Sequence, residues 1–218
     1  MGKFRRPYAM SRKKKNILLL MFFFFVLPVL VALDHMGGAS VRQAVRRSLY
    51  DSPDWKNYHQ TTFSVAAVID GDTIDLAIPD AKYPTTRVRL LGVDTPETKN
   101  PKTGVMYYGP EASAFTKKLC ENRQVTVLLD AVADQRDKYG RLLAYIRLPD
   151  GSILNQRLIA EGFGYADMRF EHSFYDQYAL LQEECIRDKK GLWKDVTRAQ
   201  LPQWLGKQWP DLLRTTVK

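Results

Sequence analysis

The strongest constraint on the fold is a series of five short strand-like runs between Phe63 and Pro149, interrupted by one helical segment. "FSVAAVI" and "TIDLAIP" flank the tight turn "DGD", and in the second run Ile74, Leu76 and Ile78 share one face. "RVRLLGV" follows a loop containing Pro84, and "QVTVLLD" and "RLLAYIRLP" are separated by the polar stretch "AVADQRDKYG". Strands this short, with turn signals between them and helices inserted or appended, predict an α+β domain built on a small barrel.

The helical segments carry their own punctuation. One starts at Pro110, which suits the first helical position, with Glu111 at the positive end of the dipole and Ala112, Phe115 and Leu119 along one face. "SILNQRLIAEG" reads as a second helix ended by Gly162. "SFYDQYALLQEECIRDKKG" reads as a third, with Ser173 as N-cap, Asp176 at the third helical position and Gly191 as the stop. Ahead of the domain, residues 34–60 read as a linker: Val41, Val45 and Leu49 suggest a short amphipathic helix, and "DSPDWKNYHQ" reads as loop. Residues 196–218 form a C-terminal tail whose Trp204 and Trp209 dock either on the domain or on a membrane surface.

A net charge of +9 suggests a nucleic-acid binder, but its distribution argues otherwise. Seven basic side chains lie in residues 1–15, and removing them leaves 26 Lys and Arg against 24 Asp and Glu. Function therefore has to be read from local sites. The basic flank, residues 1–15, leads into residues 16–33, where Ile17 to Leu33 is an unbroken apolar run of 17 residues. That is about 26 Å of helix, the short end of a bilayer span, and Pro28 is placed to kink it. Residues 16–33 are either an uncleaved signal anchor, the preferred reading, or a cleaved signal peptide with "GGA" at 37–39 as the small-residue site. Either way the basic flank stays cytoplasmic and the rest is delivered outside: membrane-anchored, or secreted. In that oxidising compartment Cys120 and Cys185 either pair or remain two buried thiols.

The three histidines are scattered, neither cysteine has a partner at metal-ligand spacing, and no Gly-rich phosphate loop opens a helix. Zinc chemistry, a histidine base and a P-loop are thus poorly supported. Carboxylates and arginines at strand ends remain. Asp70 and Asp72 flank the first turn, and Asp94 and Glu97 end the third strand. If the first and third strands lie side by side, these acids converge and repel one another unless a cation relieves them. An oxygen-only donor set selects a hard ion, Ca²⁺ or Mg²⁺. Arg89 and Arg141 point to an anion, since each guanidinium can form paired hydrogen bonds to a phosphate.

Four blocks, "VIDGDTIDL", "RLLGVDTPETKNPKTGVMYYGPEASAFTKKLCEN", "DKYGRLLAYI" and "KKGLW", resemble the staphylococcal nuclease family in this order, over Phe63 to Trp193. The resemblance implies a five-stranded OB-fold β-barrel with three α-helices over residues 61–195, preceded here by the N-terminal membrane or signal segment. It implies a Ca²⁺-dependent endonuclease of DNA and RNA with little sequence specificity, acting as a monomeric catalytic domain; no protein partner is implied. By position, Asp72, Asp94 and the Thr95 carbonyl match the calcium ligands and Glu97 the general base. Arg89 and Arg141 match the phosphate-gripping pair, and Lys138 and Tyr139 the substrate-binding residues. A further substrate-contacting tyrosine of the family falls near Met168 here, with Phe170 or Tyr165 as alternatives. The competing expectation is an inactive OB-fold module that binds nucleic acid at the membrane. Such a module would have lost one of Asp72, Arg89, Asp94, Glu97 or Arg141, and all five are present.

Overall fold

The computed structural model describes residues 50–98 and 104–209, which from Asp51 onward belong to one compact unit. The apolar run at 17–33, the short amphipathic helix expected around Val41, Val45 and Leu49, and the last nine residues lie outside the described residues. Among the described residues no helix is long and apolar enough to cross a membrane.

The barrel is closed. Its strands are β1 (Thr61–Asp70), β2 (Thr73–Leu76), β3 (Thr86–Leu90), β5 (Gln124–Leu128) and β6 (Leu142–Arg147), in the order β1–β2–β3–β6–β5, with β5 returning to β1. All neighbours are antiparallel except β3 and β6, which run parallel with Arg89 opposite Leu143. This is the five-stranded OB-type barrel expected from the sequence. Period-two alternation sorts the side chains: in β3, Thr86, Val88 and Leu90 are buried while Arg87 and Arg89 point outward. Ile74, Leu76, Val88, Leu142 and Ile146 fill the interior. Arg87 is held across the ladder by its register partner Asp75, through Nε and Nη2 at 2.8 and 3.0 Å.

Outside the barrel, β4 (Val93–Asp94) pairs with β7 (Tyr165–Ala166), Asp94 opposite Tyr165. Helices α2 (Gly109–Cys120), α3 (Leu154–Ala160) and α4 (Tyr175–Arg187) are the three expected ones. Two short helices join them. The first, α1 (Pro53–Tyr58), falls where the sequence reads as loop: Ser52 caps it by accepting from Trp55 N, and Tyr58 is buried in the core. The other, α5 (Gln203–Gln208), packs Leu205 into a second apolar cluster with Tyr165, Cys185, Leu192 and Trp193.

The start of α4 also differs from the sequence reading. Ser173 is not its N-cap; Phe174 is, and the Ser173 hydroxyl donates to Asp130 at 3.0 Å. The helix ends at Arg187, ahead of Gly191. Cys120 and Cys185 are both buried and unpaired, on α2 and α4.

Candidate active site

The "DGD" turn and the "DTPE" segment meet, though not as a pairing of β1 with β3, because β2 lies between them. Hydrogen bonds donated to the carboxylates of the turn join the two pieces instead. Asp72 is buried, and its Oδ2 accepts from Thr95 N at 2.8 Å and Thr95 Oγ1 at 3.0 Å. Asp70 accepts from Thr98 Oγ1 at 3.0 Å. The approach is so close that a Cβ on Gly71 would lie 2.7 Å from Thr95 Oγ1, so glycine alone fits that turn. A second close approach sets Glu97: its carbonyl accepts from Met106 N at 2.8 Å, and a Cβ on Gly109 would sit 2.8 Å from that carbonyl oxygen.

Arg89 reaches outward from β3 into this junction. Its Nη1 lies 2.7 Å from Asp72 Oδ2 and donates to Val93 O at 2.9 Å, while Nη2 donates to Asp94 Oδ1. Burial alone lowers the Arg89 pKa, but the charges of Asp72, Asp94, Asp167 and Glu97 outweigh it and the net shift is upward. The same crowding acts on the acids. Burial first, then Asp72 and Asp167, push the Asp94 carboxyl up to about 6 against the pull of Arg89 and Arg169. Glu97, which is exposed, is also raised, by partial burial and then by Asp70, Asp72 and Asp94. The junction therefore keeps a surplus of negative charge even with its arginines in place.

A cleft of about 1200 Å³ opens over it, lined by Asp72, Arg89, Asp94, Thr95, Glu97, Tyr139 and Arg141 among others. Arg141 comes from the far side, on the loop entering β6. Asp137 shapes that loop: it accepts from Tyr139 N at 2.9 Å and Arg141 N at 3.0 Å, and takes Arg141 Nε at 2.7 Å. Arg136 fastens the loop by donating to Asp54 of α1 at 2.7 Å, Asp80 at 2.6 Å and Gly140 O at 2.8 Å. Tyr139 projects with 73% of its surface exposed. Seven of the eight residues singled out from the sequence thus share one cleft. Lys138 lines the adjoining groove instead, its Nζ 5.0 Å from the centre of the Tyr139 ring. Of the alternatives near Met168, Phe170 presents an exposed ring to that groove, whereas Tyr165 is buried beneath Trp193 and Trp204.

Two cleft residues, Arg169 and Trp204, and Asp167 of the adjoining groove were not assigned to the site from sequence. Arg169 forms a two-pronged pair with Asp167, at 2.7 Å from both Nε and Nη2, and reaches Asp94 Oδ2 at 3.3 Å. The available signal was the acid and base two residues apart in "DMR", in the turn that follows β7.

The donors fit a hard cation in type. Asp72, Asp94 and the Thr95 carbonyl offer only oxygen. Among the described residues no group of three or more His, Cys, Asp or Glu side chains is arranged to hold a metal. Any ion here would rest on two carboxylates and a carbonyl.

The fold and the site together define a closed OB-type barrel with an arginine–carboxylate cleft at the end of its third strand. The model of the staphylococcal nuclease homologue family matches residues 87–195. The thermonuclease of Staphylococcus hyicus is 36% identical over 147 residues, covering 67% of this chain and 83% of that protein. The thermonuclease of Staphylococcus intermedius is 41% identical over 146 residues, 66% of this chain and 76% of its own. Endonuclease YncB of Bacillus subtilis is 41% identical over 127 residues, 57% of this chain and 58% of its own. The chain belongs to the staphylococcal nuclease homologue family.

Proposed function

We propose that this protein is a Ca²⁺-dependent endonuclease that hydrolyses phosphodiester bonds of DNA and RNA with little sequence preference. Its membership in a family of nucleases supports the hydrolase class. The observation that carries the finer reading is the hydrogen-bonded junction of the "DGD" turn with "DTPE", which gathers carboxylates and a guanidinium in one cleft.

In this reading Asp72, Asp94 and the Thr95 carbonyl hold the calcium ion, which when bound supplies a Lewis acid and a template for the phosphate. Two carboxylates and one carbonyl make a modest site, in the range of about 10⁻⁴–10⁻³ M typical of extracellular calcium modules. Glu97, exposed in the cleft and not held by an arginine, orients water and takes its proton. Arg89 has donors left over beyond those given to Val93, Asp72 and Asp94, and with Arg141 it grips the phosphate oxygens as charge builds on them. Tyr139 and Lys138 border the path of the substrate strand. The basic flank followed by the apolar run at 17–33 supports an extracytoplasmic catalytic domain, tethered or secreted, where calcium at that concentration is present.

The test is digestion of single-stranded DNA, duplex DNA and RNA by the full-length chain, with calcium or with EGTA, beside Glu97→Gln. The expected result is cleavage of all three only with calcium, and a loss of about 10²-fold or more in Glu97→Gln. Undiminished turnover in that variant, or full activity in EGTA, contradicts the assignment.

A further inference from the structure

The family match ends at Asp195, yet Gln200, Leu201 and Trp204 line the same cleft. The chain beyond 195 folds back in steps that the sequence encodes locally. Thr197 and Gln200 close a reciprocal cap around the 3₁₀ turn Arg198–Gln200, and Pro202 precedes α5. Leu205 is fully buried against Leu192 and Trp193, which anchors α5 to the domain. One residue back, about 100° around the helix, Trp204 is turned toward the cleft.

There its indole makes two contacts with the site. Nε1 donates to Asp94 Oδ2 at 3.0 Å, and the ring lies under the Arg169 guanidinium, 4.3 Å from its carbon to the ring centroid. Arg169 shares the same Asp94 oxygen while Arg89 holds the other. The Asp94 carboxylate is thereby clamped from both ends, which removes its freedom to rotate. Indole has a donor and no lone-pair acceptor, so Trp204 can neither ligate a metal ion nor move a proton here; it can only orient.

We infer that Trp204 is a positioning residue of this active site, fixing the Asp94 carboxylate through Nε1 and the Arg169 guanidinium through its ring, so that the C-terminal segment completes the cation site. The inference rests on the reading of Asp94 as a calcium ligand. Hydrogen-bond partners behind metal ligands set ligand orientation, and their loss typically costs about 10–100-fold in metal affinity or activity.

The experiment is calorimetric titration of the full-length chain with calcium alone, for wild type, Trp204→Phe and Asp94→Asn, with thermal unfolding of each in EGTA. Phenylalanine keeps the stack on Arg169 and the burial of Leu205 and removes only the donor. The expected result is calcium binding about tenfold weaker in Trp204→Phe, with its unfolding temperature close to wild type, and weaker still in Asp94→Asn. If Asp94→Asn loses affinity and Trp204→Phe does not, the positioning role is overturned and the calcium reading of Asp94 stands. Tighter binding in Trp204→Phe means that the indole competes with the cation, and overturns the inference too. If both variants bind as wild type, Asp94 is no ligand, and the proposed calcium site falls with the inference.

Discussion

Asp130→Asn is expected to destabilise the domain by about 3 kcal/mol without touching the cleft. Asp130 is buried at the end of β5 and accepts from five donors. Oδ1 takes Val132 N at 2.6 Å, Ala133 N at 3.2 Å and Ser173 Oγ at 3.0 Å. Oδ2 takes the Tyr145 hydroxyl at 2.6 Å and Ser173 N at 2.8 Å. An asparagine of the same shape must aim its NH₂ at one set or the other, and each set contains a backbone N–H. At least one buried N–H then loses its acceptor, at about 1–3 kcal/mol, and the remaining bonds lose their charge, at about 1 kcal/mol more. For a domain of this size that lowers Tm by roughly 6–12 °C.

The pH dependence has a definite sign. Burial by itself raises the Asp130 pKa, but hydrogen bonds from Tyr145, Ser173 and Val132 outweigh it and leave the carboxyl below 3.8 in the folded protein. Such a group stabilises the fold above its unfolded pKa, and the contribution fades as pH falls through the folded value. The deficit of Asp130→Asn therefore narrows below about pH 4. Urea unfolding followed by tryptophan fluorescence at pH 7.5 and 3.5 measures both. A deficit under about 1 kcal/mol at pH 7.5, or an equal deficit at the two values, refutes the reasoning.

Three further outcomes follow from the same geometry. Arg89→Ala takes away the cationic partner of buried Asp72 and one of the two guanidinium partners of Asp94, so besides a fall of about 10²–10³-fold in turnover it costs about 3 kcal/mol in EGTA, read by urea unfolding. Gly109→Ala drives a Cβ against the Glu97 carbonyl and is expected to lower kcat more than it raises KM, at a cost of about 1–3 kcal/mol; steady-state kinetics with one oligonucleotide separates the two constants. Arg136→Met releases Asp54, Asp80 and the loop carrying Tyr139 and Arg141, so kcat should fall and KM should rise several-fold, and stability should fall by about 2 kcal/mol; steady-state kinetics and urea unfolding measure these.

Much of the domain was legible because its signals are local. Alternation in "RVRLL" sends the Arg87 and Arg89 side chains outward whatever the strand pairs with, and Pro110 and Gly162 mark helix ends through their own dihedral preferences. Seven of the residues singled out by the motif blocks line one cleft, because the blocks sit at the strand ends and loops that border it. What failed were choices between partners. Ser52 and Ser173 are equally good capping residues in sequence; Ser52 caps α1, while Asp130, 43 positions away, takes the hydroxyl of Ser173. The acids of "DGD" and "DTPE" converge through Thr95 and Thr98, not through adjacent strands. Trp204 comes to Asp94 across 110 residues because Leu205 has an apolar cluster to fill. By itself the sequence determined where acids and arginines stand at strand ends and which way each strand faces, since pleat, cap and turn depend on near neighbours. Tertiary structure alone decided which carboxylate meets which donor, because hydrogen-bond partners are settled by the burial of apolar groups distant in the chain.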